Sequence, residues 1–97
     1  MAKVRPVLKQ EAREIGEAAL GFLAADPDRL IRFLQLTGTS PADLRRQADA
    51  ESTLAAVLSH LLDDESLLLV FAAEAGIPAD RIAPAAALLA GAREGRP

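Results

Sequence analysis

Signals for helix starts and stops divide this sequence into short segments. Asp26 and Ser40 each stand directly before a proline. Asp and Ser side chains accept hydrogen bonds from the free amides of a helix start, and proline at the first helical position loses no hydrogen bond. Gly38 and Gly76 follow apolar segments, where glycine can end a helix in the left-handed conformation. The signals predict a bundle of short helices.

Apolar residues recur at helical spacing between these signals. The spacing predicts helices over about residues 8–23, 27–36, 41–48, 50–62 and 65–75, and a last helical region that ends at Gly91. Pro84 lies inside that last region. Because proline removes a backbone hydrogen bond in mid-helix, it predicts either a break near Ala83 or a helix that starts at Pro84 itself.

The composition supports the same fold class. Of the 97 residues, 51% are hydrophobic, mostly Ala and Leu, and the chain has three Phe but no Trp or Tyr. Such a mixture is rich in helix formers and poor in strand formers. We therefore predict one all-α domain over residues 1–97, a compact bundle of five to six short helices. Residues 1–6 and 92–97 are polar, and we expect them to fray.

The sequence matches itself when it is shifted by 38 residues, with seven identities among the 23 positions from 16 to 38. The shift pairs core residues, a cap and a stop: Leu20 with Leu58, Leu23 with Leu61, Asp26 with Asp64, Leu30 with Leu68, Phe33 with Phe71 and Gly38 with Gly76. This pattern predicts two related three-helix units. The alternative is convergent helix punctuation, because Asp caps and Gly stops recur in unrelated helical proteins.

Two stretches of the sequence resemble a known family. Residues 19–38 read ALGFLAADPDRLIRFLQLTG, and residues 57–71 read VLSHLLDDESLLLVF. Both are similar to segments of a family of small bacterial helical proteins classed as a domain of unknown function, and the resemblance covers about residues 12–91. It implies a compact helical cytoplasmic protein. The family has no activity, cofactor or catalytic residue to carry over.

Several classes of protein are disfavoured by composition. The sequence has no cysteine, so it contains neither a disulfide nor a thiolate metal site, which suits a reducing compartment. It has no signal-peptide core and no run near the roughly 20 apolar residues of a membrane span, so we predict a cytoplasmic protein without a membrane partner. A net charge of -3 and a pI of about 5.0 offer no basic surface to phosphate backbones, and nucleic acid is not expected as a partner.

Residues that could carry catalysis are few. His60, the single histidine, is predicted on the solvent side of its helix, opposite the leucine stripe. Asp63, Asp64 and Glu65 could form an acid–base pair or a metal cluster, but their place before a helix is better explained by capping and by the helix dipole. No glycine-rich phosphate loop, nucleophile motif or metal-ligand spacing is present. We predict no enzyme, no cofactor, no metal and no small-molecule substrate.

The helices on either side of Gly38 also fit a helix-turn-helix. In that alternative, Ser40, Arg45 and Arg46 would face the major groove of DNA. Against it stand the acidic chain and a second helix with few side chains that read bases. The simpler interpretation is that the arginines form a solvated basic edge.

The segment from Leu67 to Phe71 is apolar at every position. A helix that is apolar all round is either central in its fold or partly covered by a partner. In the second case, Leu67, Leu69 and Val70 form an interaction surface, and a two-fold homodimer is its simplest use. The sequence thus predicts a non-catalytic module that binds another protein or itself. DNA binding and, behind it, an enzyme of unidentified chemistry are the alternatives.

Overall fold

A computed structural model describes residues 6–94. These residues form six α-helices: α1 (Lys9–Ala24), α2 (Pro27–Thr37), α3 (Pro41–Arg46), α4 (Glu51–Leu62), α5 (Glu65–Ala75) and α6 (Ile82–Glu94). A short 3-10 turn, Ala79–Arg81, leads directly into α6. No strand occurs among residues 6–94, so the predicted all-α class is confirmed.

The core lies where α1, α4 and α6 pack against one another. Their inward side chains are fully buried, among them Ala12, Ala19, Leu23, Leu54, Leu58, Leu61, Ile82 and Leu89. α2 and α5 lie on the outside of this centre and contribute one buried phenylalanine each, Phe33 and Phe71. The alternative that α5 is the central helix is wrong. Apolar side chains lie on all sides of α5, but only one side of the helix faces the core.

The predicted caps and stops are present. The Asp26 carboxylate accepts hydrogen bonds from two amides in the first turn of α2, and the Asp64 carboxylate accepts one from the first turn of α5. Gly38 and Gly76 end these helices in the left-handed conformation, with φ angles of 72° and 69°. The helix pairs α1–α2 and α4–α5 therefore use the same cap and the same stop, at positions that the 38-residue shift relates.

Three helix ends differ from the prediction. α3 ends at Arg46, before the predicted residue 48. α6 begins at Ile82, so Pro84 lies in its first turn, where a backbone amide has no partner inside the helix and proline loses nothing. α6 also continues to Glu94, so residues 92–94 are helical rather than frayed. The other predicted tail residues, 1–5 and 95–97, lie outside the described residues.

α1 and α4 approach each other closely at Gly16. A Cβ atom added to this glycine would lie 2.8 Å from the Cβ of Leu54, which is nearer than non-bonded carbon atoms pack. The Leu54 Cβ is fixed to the backbone of α4, so relief of this contact would move the two helices apart. Gly21, on the same helix, has open space at the corresponding point. Gly16 therefore serves helix packing and Gly21 does not.

Replacement of Gly16 by Ala should lower the free energy of unfolding by about 1–3 kcal/mol, the usual effect of overpacking a core. Gly21→Ala is the matched control, and it should raise the free energy of unfolding by about 0.5–1 kcal/mol, because alanine is the better helix former. Urea unfolding followed by circular dichroism measures both changes. A Gly16→Ala variant as stable as Gly21→Ala would contradict the close packing of α1 on α4.

Candidate interaction surface

One side of α5 is exposed and carries no charge. Ser66, Leu69, Val70 and Ala73 recur at the three- and four-residue spacing that places side chains on one face of a helix. All four residues are exposed, Leu69 by 51% and Val70 by 39%. We call these four residues the α5 face.

The opposite side of α5 packs against the core. The Phe71 ring lies against Phe22 of α1, with ring centroids 5.3 Å apart and planes inclined by 57°. Leu67 and Leu68 are half-buried and pack against the core. Leu67 was predicted to belong to the same interaction surface as Leu69 and Val70. It is half-buried, whereas the other two residues are exposed. It lies one turn before Phe71 and so faces the same side.

Carboxylates stand at both ends of the α5 face. Glu65 begins the helix and Glu74 lies near its end, and both side chains are exposed. Neither forms an ion pair with any residue in the part of the chain that the structure describes, and α5 contains no Lys or Arg. Such a surface favours a partner that brings apolar side chains and positive charge.

The 38-residue shift relates the α5 face to four residues of α2: Asp28, Ile31, Arg32 and Gln35. These residues are exposed as well, and Ile31 is exposed by 51%, as Leu69 is. Three of the four are polar or charged, whereas α5 has three apolar residues and a serine. The fold therefore exposes both sets of positions, but only α5 fills them with apolar side chains.

A second apolar surface is a groove of about 230 Å³ between α1, α2 and α3. Its lining includes Leu20, Ala24, Leu30, Leu34, Leu44 and Arg45. The four leucines are half-buried and pack against the core, and Ala24 is exposed. Arg45 forms no ion pair within residues 6–94. We call this surface the α1–α3 groove. The sequence did not single it out, because it combines three helices with no shared motif.

The acidic residues between α4 and α5 act at the helix start. Asp64 Oδ1 accepts a hydrogen bond from the Leu67 amide at 3.1 Å, while Asp63 and Glu65 are exposed. Among the described residues, no group of three or more His, Cys, Asp or Glu is placed to hold a metal ion. The geometry here is that of an N-cap with acidic neighbours.

His60 is half-buried, whereas the prediction placed it on the solvent side of its helix. Its ring packs edge-on against Phe33 of α2, with ring centroids 5.3 Å apart, and its Nε2 atom is buried and has no hydrogen-bond partner within residues 6–94. The prediction failed because α2 covers this side of α4, which the leucine stripe alone does not reveal. A signal was available in the 38-residue shift, since it pairs His60 with Phe22.

Burial lowers the pKa of His60, and the nearby Arg32 guanidinium lowers it further. The carboxylates of Asp63 and Asp64 act in the opposite direction but do not outweigh these two effects. The imidazole also borders an open groove of about 720 Å³ between α2 and the α4–α5 turn. His60 is thus a packing group whose protonation opposes the contact with Phe33.

The residues of the DNA-binding alternative lie in and beside a helix of six residues, α3. The Ser40 hydroxyl accepts a hydrogen bond from the Asp43 amide at 3.1 Å, and the Arg46 guanidinium pairs with the Asp43 carboxylate. Arg45 lines the α1–α3 groove. Two of the three side chains are therefore engaged within the protein.

Comparison with known proteins identifies a family. Residues 9–92 match the family described as Protein of unknown function (DUF3572). No curated protein and no solved structure matches the chain. Within the described residues, no helix is long and apolar enough to cross a membrane.

Replacement of Asp64 by Ala should lower the free energy of unfolding by about 1 kcal/mol, because it removes the N-cap of α5. Asp64→Asn is the matched control: asparagine caps as well as aspartate, so this variant should keep most of the stability. Urea unfolding at neutral pH measures both. Equal losses in the two variants would show that the negative charge, and not the cap, is what Asp64 contributes.

The protein should lose stability as the pH falls from about 7.5 to about 5.5, a range in which carboxylates stay ionised. The unfolded chain protonates its histidine near the ordinary value of 6.5, whereas folded His60 has a lower pKa. Protons therefore bind the unfolded state first, and the loss begins as the pH passes below 6.5. His60→Phe keeps a ring against Phe33 and should remove the pH dependence. An unchanged slope in this variant would assign the effect to other groups.

Proposed function

This chain belongs to the DUF3572 family of proteins of unknown function, and we propose that it is a non-catalytic protein-interaction module that binds through the α5 face. The partner that we propose first is a second copy of the chain. The supporting observation is the contrast between α5 and α2. Leu69 and Ile31 are equally exposed at related positions, but the α5 positions related to Asp28, Arg32 and Gln35 of α2 hold Ser66, Val70 and Ala73, which are uncharged. An apolar surface that the fold does not require is typical of a binding site.

The α5 face alone is too small to hold a partner. Complete burial of a Leu or Val side chain stabilises a complex by about 1.5–3 kcal/mol, and Leu69 and Val70 already have part of their surface covered. Association itself costs at least about 4 kcal/mol in lost freedom of motion. A partner must therefore enclose the α5 face in a concave surface, and further residues must contribute to the contact.

We also infer that the two halves of the chain descend from one three-helix unit. Phe22 of the first half contacts Phe71 of the second, and His60 of the second half contacts Phe33 of the first. The 38-residue shift relates Phe22 to His60 and Phe33 to Phe71, so each contact corresponds to the other. The ring centroids are 5.3 Å apart in both contacts. Such reciprocity is what an approximate two-fold axis produces. It supports the comparison of α5 with α2 at related positions.

The absence of cysteine suits a reducing compartment, and we propose that the module acts in the cytoplasm. No step of the binding requires a cofactor or a metal. The proposal therefore depends on surface chemistry alone, and it is tested with the purified chain.

Light scattering over a dilution series from about 1 mM to about 1 µM should show self-association of the wild type, because these concentrations span the range of weak protein contacts. Leu69→Glu places a charge on the α5 face and should raise the dissociation constant at least about tenfold. Ile31→Glu is the matched control, since Ile31 has the same exposed fraction on α2, and it should leave association nearly unchanged. A wild type that stays monomeric, or equal effects of the two variants, would contradict the proposal.

A further inference from the structure

We propose that the α5 face of one copy docks into the α1–α3 groove of another copy. This inference rests on the proposed function, and it identifies the concave surface that the α5 face needs. The two surfaces lie on different parts of the molecule, so each copy offers one of each.

Two residues of the groove are more exposed than their counterparts in the second half of the chain, while Leu30 and its counterpart Leu68 are both half-buried. Leu20 is half-buried in the groove, whereas Leu58, to which the 38-residue shift relates it, is fully buried. Leu34 is half-buried as well, and the related Ala72 is buried. The first half thus exposes apolar surface that the second half covers.

The third helices of the two halves also differ in length. After Gly76, the chain continues into α6, which has 13 residues and packs along both α4 and α1. After Gly38, it continues into α3, which has only six residues. The side of α6 that packs against these helices carries three buried apolar residues that are small or branched, namely Ile82, Ala85 and Ala86. A short α3 leaves room in the groove for the apolar face of a helix such as α5 of a second copy.

The α5 face has the size and chemistry for this groove. An engineered apolar cavity of about 150 Å³ holds benzene, a molecule of six carbon atoms. The groove volume of about 230 Å³ therefore has room for the seven side-chain carbons of Leu69 and Val70. Ser66 and Ala73 flank them and are small enough to let the helix approach closely. The groove lining around these side chains is apolar except for Arg45.

Charges also match across the proposed contact. Arg45 lines the groove and forms no ion pair within the described residues. Glu65 and Glu74, at the ends of the α5 face, form no ion pair within these residues either. Glu65 and Glu74 lie about 13 Å apart along α5, so docking would place one of these two carboxylates beside Arg45. Pairing of two α5 faces would instead bring four carboxylates together without a cation, which opposes association. The charges therefore favour the groove over a second α5 as the receptor.

The experiment mixes two variants of the full chain. Leu69→Glu loses the α5 face and keeps the groove, whereas Ala24→Glu places a charged side chain in the groove and keeps the α5 face. Each variant alone should be monomeric at concentrations where the wild type associates. Their equimolar mixture should form a complex of twice the monomer mass, because one variant supplies the face and the other the groove. Sedimentation velocity measures the masses, and circular dichroism verifies that both variants are folded.

The outcomes separate this inference from the proposed function. If Ala24→Glu associates as the wild type does while Leu69→Glu is monomeric, the α5 face binds but not to the groove, and only the inference is overturned. A mixture that stays monomeric also overturns it. If Leu69→Glu associates as the wild type does, the α5 face is not the binding surface and the proposed function fails as well.

Charge reversal in the groove gives a second test. Arg45→Glu should raise the dissociation constant about tenfold or more at low salt, because it places a like charge beside a carboxylate of α5. Arg32→Glu is the matched control, since Arg32 also lacks an ion pair within residues 6–94 but lies by the other groove, near His60. Equal effects of the two reversals would assign the change to net charge and would overturn the docking of α5 at Arg45.

Discussion

The rest of the structure depends on the close packing of α1 against α4. The contact is possible because Gly16 has no side chain where the Leu54 Cβ arrives. With these helices in place, α6 packs against both and completes the core. α2 and α5 then lie on the outside, and each contributes one buried phenylalanine to the core. Gly16 therefore sets how closely the two helices that α6 packs against can approach each other.

Gly16 and Leu54 are also related by the 38-residue shift. On a two-fold axis, a residue meets its own equivalent, so an exact homodimer of half-chains would place identical residues at this contact. Two leucines could not fit in this space, and two glycines would leave it empty. A single chain can place glycine on one side and leucine on the other. The difference between the halves at this position thus allows a tighter core than exact symmetry would permit.

The sequence predicted the features that depend on short-range backbone chemistry. Caps such as Asp64 and stops such as Gly76 act within one helical turn, so neighbouring residues suffice to place them. The exposed side of α5 was harder to assign, because a run of five apolar residues has no periodicity. Leu69 and Val70 lie on the exposed side, but Leu67 does not.

Features that join distant segments could not be predicted from residue types. Arg81 donates two hydrogen bonds to the Glu11 carboxylate, at 2.7 and 2.9 Å, across 70 positions of the sequence. The burial of His60 likewise follows from the position of α2, and the α1–α3 groove follows from the length of α3.

The unequal third helices have one more consequence. A molecule with a donor helix at one site and a receptor groove at another has polarity, so copies joined in this way would add head to tail, and their number would be limited only if the series closed into a ring.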